Sequence, residues 1–406
     1  MSARRVPGRV PVVMYHSVGP EISREMWRDL TCSPALFERQ LTLLKERDYR
    51  AISLSEVRRR QEEGRAPEDR CLALTFDDGY LDNWTFVYPL LRKAGWRATV
   101  YVSPDFVDPA ADPRPTLEEV WSGRCSRAEL RGDGYMSWAE MRRAAAEGVL
   151  EIGCHSRTHT WYPTGPEVVD YHRPGTPYPW LAWNAAPERK HAWLREDQRD
   201  LVPLGTPVHV HGRSLGIRRY FPPPELAEAC ARFAAERGGA EFFSRPAWRT
   251  EIDAFRAALH VGAGRYETDD ELARRVNDEI VGARDAIELA LGTRPRHFAW
   301  PGGAYTGASW SAAERAGFET IVVGSSDLER RRSSDPRLVR RTPCFNFVSI
   351  RRWRFPNDDP RILWHACEAE RGSSSHRLWL RVRKAQVALR SLAASGRQGP
   401  TDPVAP

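Results

Sequence analysis

The sequence predicts an α/β protein: a mainly parallel β-sheet, open or closed into a barrel, flanked by helices and interrupted by one long insertion. Three observations carry this expectation. Short, largely apolar runs recur at 10–15, 71–76, 98–102, 150–154, 297–300 and 320–323, the first of them rich in valine. Segments of helical spacing with start signals lie between them. One connection, from 160 to about 266, is far longer than the rest and lacks the strand–helix rhythm.

The elements follow in order. Residues 10–15 (VPVVMY) read as a buried strand. Ser33 and Pro34 are an N-cap and a first-turn proline, opening a helix with apolar Leu36, Phe37, Leu41, Leu43 and Leu44. A short strand is expected at Ala51 to Leu54, then a helix capped by Ser55. Strand Cys71 to Phe76 runs into an acidic turn, and a helix through Pro89 to Ala94 leads to strand Ala98 to Val102. Trp138 to Glu147 reads as helix and Leu150 to Cys154 as strand. In the insertion only Pro224 to Arg237 reads as a clear helix. Asp269 to Leu291 has a long helical pattern, followed by strand His297 to Trp300, a helix around Ser311 to Ala316 and strand Thr320 to Val323. The expected divisions are a first barrel part at 10–160, an insertion at 161–266 forming a lid or substrate subdomain, a second barrel part at 267–350, and an extension at 351–406.

Composition narrows the class. Hydrophobic residues make up 41% and charged residues 28%, which suits a globular protein. No run of 18 apolar residues exists, so no membrane-spanning helix is expected. The first residues lack the apolar core of a secretory signal, so the expected location is cytoplasmic. Seven scattered cysteines without CxxC spacing argue against a disulfide framework and against a cysteine zinc site. The net charge of +7 comes largely from arginine clusters at 58–60, at 330–332 and in the tail. No nucleic-acid motif accompanies it, so no nucleic-acid partner is expected. Oligomeric state is left open.

Three constellations sit at predicted strand ends. Thr75-Phe76-Asp77-Asp78-Gly79 takes an apolar strand into two adjacent carboxylates. His155 and His159 follow strand 150–154 at a spacing that puts two imidazoles on one face of a turn. Phe298-Ala299-Trp300-Pro301-Gly302-Gly303 is a strand ending in a tight turn. Alone, each reads equally well as a cap, an incidental histidine pair or a turn. Together, one carboxylate and two imidazoles make a common catalytic zinc set, and a second carboxylate stands beside them as a general base.

This pattern resembles the NodB-homology polysaccharide deacetylases, carbohydrate esterase family 4. Residues 75–79 match TFDDG, residues 155–159 match H-[ST]-x-x-H, and Pro301 and Gly303 match P-x-G. Met14-Tyr15-His16-Ser17-Val18 is similar to the opening of the subgroup of biofilm poly-N-acetylglucosamine deacetylases. The resemblance implies a distorted (β/α) barrel and metal-dependent hydrolysis of the N-acetyl group of an amino sugar. It implies that Asp77 is the base, that Asp78, His155 and His159 bind a divalent metal, with zinc expected, and that His16 is the acid. It also implies that the Gly302 N–H faces the oxyanion. The implied substrate is an N-acetylated carbohydrate: a polysaccharide, a lipid-linked saccharide or a biosynthetic intermediate. Two alternatives stay open: a related hydrolase of an allantoin-like or N-formyl amide, and a non-catalytic carbohydrate-binding relative.

The departures matter. Many members carry an arginine where this chain has Phe298, and a late Leu-x-His motif is absent. Arg340 or Arg341 either steadies Asp77 instead or forms a surface pair. His209 and His211 either line a cleft or are satisfied surface histidines. The aromatics Trp161, Tyr162, Tyr171, Tyr178, Trp180, Trp183 and Trp193 either stack on sugars or form the insertion's own core. In the tail, Leu378, Val382, Ala385, Leu389 and Leu392 repeat at helical spacing among basic residues, before a Gly/Pro-rich, disordered end. Such a helix suits peripheral contact with the inner face of a membrane, or packing on the catalytic domain.

Overall fold

The structure is a computed structural model that describes residues 9–19, 30–64, 69–324, 335–350 and 353–394. The Arg330 to Arg332 cluster and the expected disordered end, 395–406, lie outside the described residues.

The main strands are β1 (Val12–Tyr15), β2 (Arg50–Ala51), β3 (Cys71–Phe76), β4 (Ala98–Val102) and β5 (Leu150–Cys154). The insertion adds β6 (Trp161–Tyr171) and β7 (Pro207–Arg213), and the chain returns through β8 (His297–Ala299), β9 (Thr320–Val323), β10 (Leu338–Arg340) and β11 (Thr342–Pro343). The sheet order is β10-β9-β8-β5-β4-β3-β1-β11, with β2 against the start of β3. Every pairing in it is parallel. The two ends of this path are consecutive in the chain, separated by Arg341 alone. The segment pairs with β9 on one side and β1 on the other, so the sheet curls round into a barrel.

The strands β3, β4 and β9 are buried along their whole length, as expected where helices cover one side and the barrel interior the other. Alternate residues divide between two cores. Val12, Ala73, Tyr101, Ala299, Val322 and Val339 share the smaller one, joined by Leu54 and Val57 of helix Leu54–Glu62. Val13, Leu74, Val100, Ile152, Phe298, Ile321 and Leu338 join the larger one, under the other helices.

Helix Pro34–Glu46 begins as expected, with the Ser33 hydroxyl accepting from the Leu36 N–H at 3.2 Å. The expected strand at 51–54 is instead Arg50–Ala51, and the following cap is Ser53, not Ser55. Ser53 accepts from the Glu56 N–H at 3.2 Å, while Ser55 is already helical and donates to Glu319. The 269–291 helix is continuous but contains a π-turn at Asp278–Gly282.

The insertion is more helical than its sequence pattern suggested. It pairs β6 and β7 as an antiparallel ribbon and adds helices Trp180–Ala185, Pro224–Glu236 and Trp248–Ala258. Trp248, Ile252 and Phe255 of the last of these keep helical spacing and face the insertion's core, a pattern the sequence reading passed over. Two small cores hold it. One joins Trp180, Trp183, Trp193 and Val208 to Tyr80, Phe106 and Tyr135 of the barrel loops; the other centres on Tyr171, Cys230, Phe233, Phe242 and Ile252. Helices Arg361–Glu370 and Ser374–Ala394 close the chain against the barrel. All seven cysteines are free thiols. Among the described residues, no helix is long and apolar enough to cross a membrane.

Candidate active site

The site lies at the C-terminal ends of the barrel strands. β3 continues its ladder one residue further, the Asp77 N–H donating to the Tyr15 carbonyl at 3.0 Å. The chain then turns sharply, with Asp78 at φ +71° and Gly79 at φ +68°. A Cβ on Gly79 would fall 2.8 Å from Val102 Cγ1, so only glycine lets this turn press against β4. Asp78 holds a left-handed conformation that costs free energy in a non-glycine residue, and Ser156 (φ +62°) and His159 (φ +43°) do the same. Strain concentrates on the loops that carry the expected metal ligands.

His155 extends β5 by donating its N–H to the Val102 carbonyl at 2.9 Å. Its Nδ1 lies 2.8 Å from the Ala299 carbonyl, which fixes Nδ1 as the protonated nitrogen and leaves the Nε2 lone pair facing Asp78. The loop to His159 is held from below by Glu279, which accepts from the backbone N–H groups of Arg157 and Thr158 at 3.1 and 3.0 Å. Glu279 sits in the π-turn, and also accepts from the Ser214 hydroxyl of the insertion. A π-turn re-aims a side chain that a regular helix would direct elsewhere.

The Nε2 atoms of His155 and His159 stand 3.4 and 3.3 Å from Asp78 Oδ1. The three donor atoms all lie within 4.8 Å of one another. Bonds of ~2.0–2.1 Å to a tetrahedral ion imply ligand separations of about 3.4 Å. One carboxylate and two imidazoles at these distances therefore fit a divalent ion. For His159 the electrostatics agree. Burial pushes His159 down to about 4, so its imidazole is neutral, as a ligand must be. For His155 burial acts the same way, but the charges of Asp77 and Asp78 outweigh it and hold the ring above its ordinary value.

Asp77 lies beside this triad, 3% exposed. Arg341 donates to both its oxygens, each at 2.6 Å. Burial alone would raise the Asp77 carboxyl; the Arg341 charge, with His155 behind it, brings it below its usual range. Arg340 turns the other way and pairs with Glu370. The two arginines are thus not a surface pair: neighbours along a strand point to opposite faces. His16 Nε2 lies 3.8 Å from Asp77 Oδ2, and the His16 carbonyl accepts from Asn83 Nδ2 at 2.9 Å.

Gly302 follows β8 at φ +52°. Arg213, the last residue of β7, covers it and donates to its carbonyl at 3.3 Å. The triad, Asp77 and His16 therefore come together, and Gly302 joins their rim beneath Arg213. Sequence reasoning missed Arg213 and Glu279. Neither carries a motif: one ends an irregular ribbon and the other hides within a regular helical pattern.

Of the insertion's rings, Tyr171, Trp180, Trp183 and Trp193 are buried in its own cores. Trp161 reaches the site, its ring 5.8 Å from that of His159 and 5.9 Å from that of Trp183. His209 is not a surface residue: it is buried, with Nδ1 3.1 Å from the Pro166 carbonyl. His211 packs between Tyr178 and Trp180. Neither histidine joins the triad.

Residues 64–199 and 265–321 match the polysaccharide deacetylase family model, which passes over most of the insertion. Over 96 residues the chain is 31% identical to YxkH of Bacillus subtilis, covering 24% of this chain and 32% of that protein. Over 149 residues it is 26% identical to the poly-beta-1,6-N-acetyl-D-glucosamine N-deacetylase of Escherichia coli, covering 37% of this chain and 20% of that one. The chain thus spans a third or less of the curated relatives it matches. Among solved structures, a de-N-acetylase from Aggregatibacter actinomycetemcomitans aligns with a TM-score of 0.49 at 16% identity, covering 82% of this chain and 94% of that one. The BpsB deacetylase domain from Bordetella bronchiseptica aligns at 0.45 and 18%, covering 82% and 95%.

Proposed function

We propose that this chain, whose residues 64–199 and 265–321 match the polysaccharide deacetylase family model, hydrolyses the N-acetyl group of an amino sugar. The observation that carries the proposal is the Asp78–His155–His159 triad beside an Asp77 held ionised by Arg341. A divalent ion in the triad, with zinc as the expected metal, supplies a water of lowered pKa and polarises the amide carbonyl. Asp77 accepts the proton of the attacking water, its carboxylate kept ionised and oriented by the two Arg341 hydrogen bonds. His16, across from Asp77 and partly open to solvent, gives a proton to the departing amine, which leaves poorly without one. The Gly302 N–H faces the oxygen on which charge develops. Trp161 offers a flat apolar surface beside His159 for a sugar ring.

Two further proposals concern where the enzyme works. Seven unbridged cysteines support a reducing, cytoplasmic compartment. The helix Ser374–Ala394, without an acidic residue, supports contact with an anionic membrane surface.

The test is acetate release by the metal-loaded protein from a panel of N-acetylated saccharides and glycolipids, together with metal analysis. His159→Ala should lose the ion and the activity. Asp77→Asn should keep the ion and lose turnover by ~10²–10⁴-fold. Full metal occupancy and unchanged turnover in His159→Ala would remove the basis of the proposal.

A further inference from the structure

The chemistry above leaves Arg213 unused, although it stands at the site. It ends β7 directly opposite Trp161 on β6, and its guanidinium lies 5.4 Å from the Trp161 ring centre. It presses on Gly302 so closely that a Cβ there would fall 2.0 Å from its Cζ and 2.2 Å from its Nε. Its guanidinium makes one hydrogen bond among the described residues, the 3.3 Å contact to the Gly302 carbonyl, and its buried Nε has no partner. Neighbouring arginines are satisfied: Arg157 pairs with Asp278, Arg218 with Asp269 and Arg275 with Glu267. The charge that acts most on Arg213 is that of Asp78.

A half-desolvated guanidinium with unused N–H donors gains strongly from an arriving anion. Its position against the Gly302 backbone places those donors beside the N–H assigned to the oxyanion. We propose that Arg213 donates to the oxyanion of the tetrahedral intermediate and then to the carboxylate of the acetate product. This rests on the deacetylase reading. The steps balance as follows. Water oxygen bonds to the acetyl carbon while Asp77 takes a proton from the water. The carbonyl π pair moves onto oxygen, giving the oxyanion that Arg213 and Gly302 hold. The pair returns as the C–N bond breaks, and the amine leaves with the proton supplied by His16. The acetic acid formed gives its remaining proton to solvent, and the acetate charge stays against Arg213 until release. Arg213 belongs to the insertion, so the insertion completes the catalytic set as well as covering it.

The experiment uses the full chain, metal-loaded, with a neutral N-acetylated oligosaccharide. Arg213→Gln should lower kcat by ~10²–10³-fold, the range for one oxyanion donor, with KM nearly unchanged. Arg213→Lys, which keeps the charge, should recover part of the loss. Zinc content and melting temperature serve as controls for folding. Acetate titrated into the metal-free protein by calorimetry gives a readout without turnover, and Arg213→Gln should bind it more weakly than wild type. Unchanged kcat together with unchanged acetate affinity would overturn the assignment. So would a rise in KM on this neutral substrate with kcat unchanged, which would make Arg213 a substrate-binding residue alone. If wild type releases acetate from nothing in the panel, the deacetylase reading fails, and the acetate titration still decides whether Arg213 holds a carboxylate.

Discussion

Between Asp77 and Arg341, two hydrogen bonds of 2.6 Å join a carboxylate and a guanidinium that are 4% and 8% exposed. Such a pair contributes little net stability when formed, but removing one partner strands the other charge at a cost of ~3–5 kcal/mol. Arg341→Met should therefore lower the melting temperature clearly, measured by thermal unfolding at neutral pH. It should also move the activity profile. A carboxyl depressed in the folded state supports stability above its unfolded pKa and loses that contribution as pH falls through the folded value. Without Arg341 burial prevails, the Asp77 carboxyl rises, and the acid limb of kcat against pH should shift upward. An unmoved limb would mean that Asp77 is not the base. The residues of the triad were legible because their types and spacing are themselves the chemistry. The choice between Arg340 and Arg341 was not, because it depends on where strand parity falls at the barrel seam. Arg213 was illegible for a similar reason: its partner Gly302 is 89 residues away, across a ribbon whose register shifts twice.

At the scale of elements, the helix Ser374–Ala394 turns its faces in an unexpected way. Leu378, Val382 and Leu389 are 64%, 50% and 66% exposed, so the apolar stripe seen in the sequence points outward. The side chain of Leu392, expected on the same stripe, lies outside the described residues. Packing uses other residues instead. Trp379 stacks on His365, Ala388 is buried, Arg383 pairs with Asp359, and Lys384 lies over Phe345. The alternative in which this stripe covers the catalytic domain is thus not what the chain does. Exposed Arg381 and Arg390 border the stripe. In sedimentation with vesicles, wild type should bind anionic and not neutral bilayers. Replacing Leu378, Val382 and Leu389 with Gln should abolish binding, and Arg381→Gln should weaken it by ~1 kcal/mol. Equal, weak binding by all forms would sink the membrane proposal, and concentration-dependent dimerisation would point to a second copy of the chain. The sequence could not show this orientation, because helical periodicity locates an apolar face without saying what meets it.

For the molecule as a whole, the strand–helix alternation was readable because doubly buried strands leave uninterrupted apolar runs. β3, β4, β5 and β9 appear where the sequence places them. Closure was readable only through the family resemblance: the residue pattern left the sheet open or closed, and the structure closes it where β10 pairs with β9 and β11 with β1. Stability should carry a signature of the rim between β1 and β3. Asp82 is fully buried there, accepting from the Ser17 hydroxyl and Asn83 Nδ2. Burial pushes its carboxyl up to about 7, against the pull of those donors. The folded state then binds a proton that the unfolded state has released between roughly pH 4 and 7, so stability should fall as pH rises through that window and level off above it. The slope due to this group is at most ~1.4 kcal/mol per pH unit. Asp82→Asn should flatten the curve in urea titrations at several pH values; an identical pH dependence in the variant would show that Asp82 ionises freely.

Closure through Arg341 also imposes an order on biosynthesis. Asp77 leaves the ribosome 264 residues before the arginine that will hold it. At ~5–20 residues per second that gap lasts roughly 10–50 s. Throughout it the sheet is open, with the edge of β1 unpaired, and Asp77, the proposed base, is a carboxylate without its counter-charge. The ribbon and small cores of the insertion, local in sequence, can form during this wait. Asp77 therefore stays without its counter-charge until the last barrel strand emerges, and a stop between residues 159 and 341 leaves Asp78, His155 and His159 present with Asp77 unpaired.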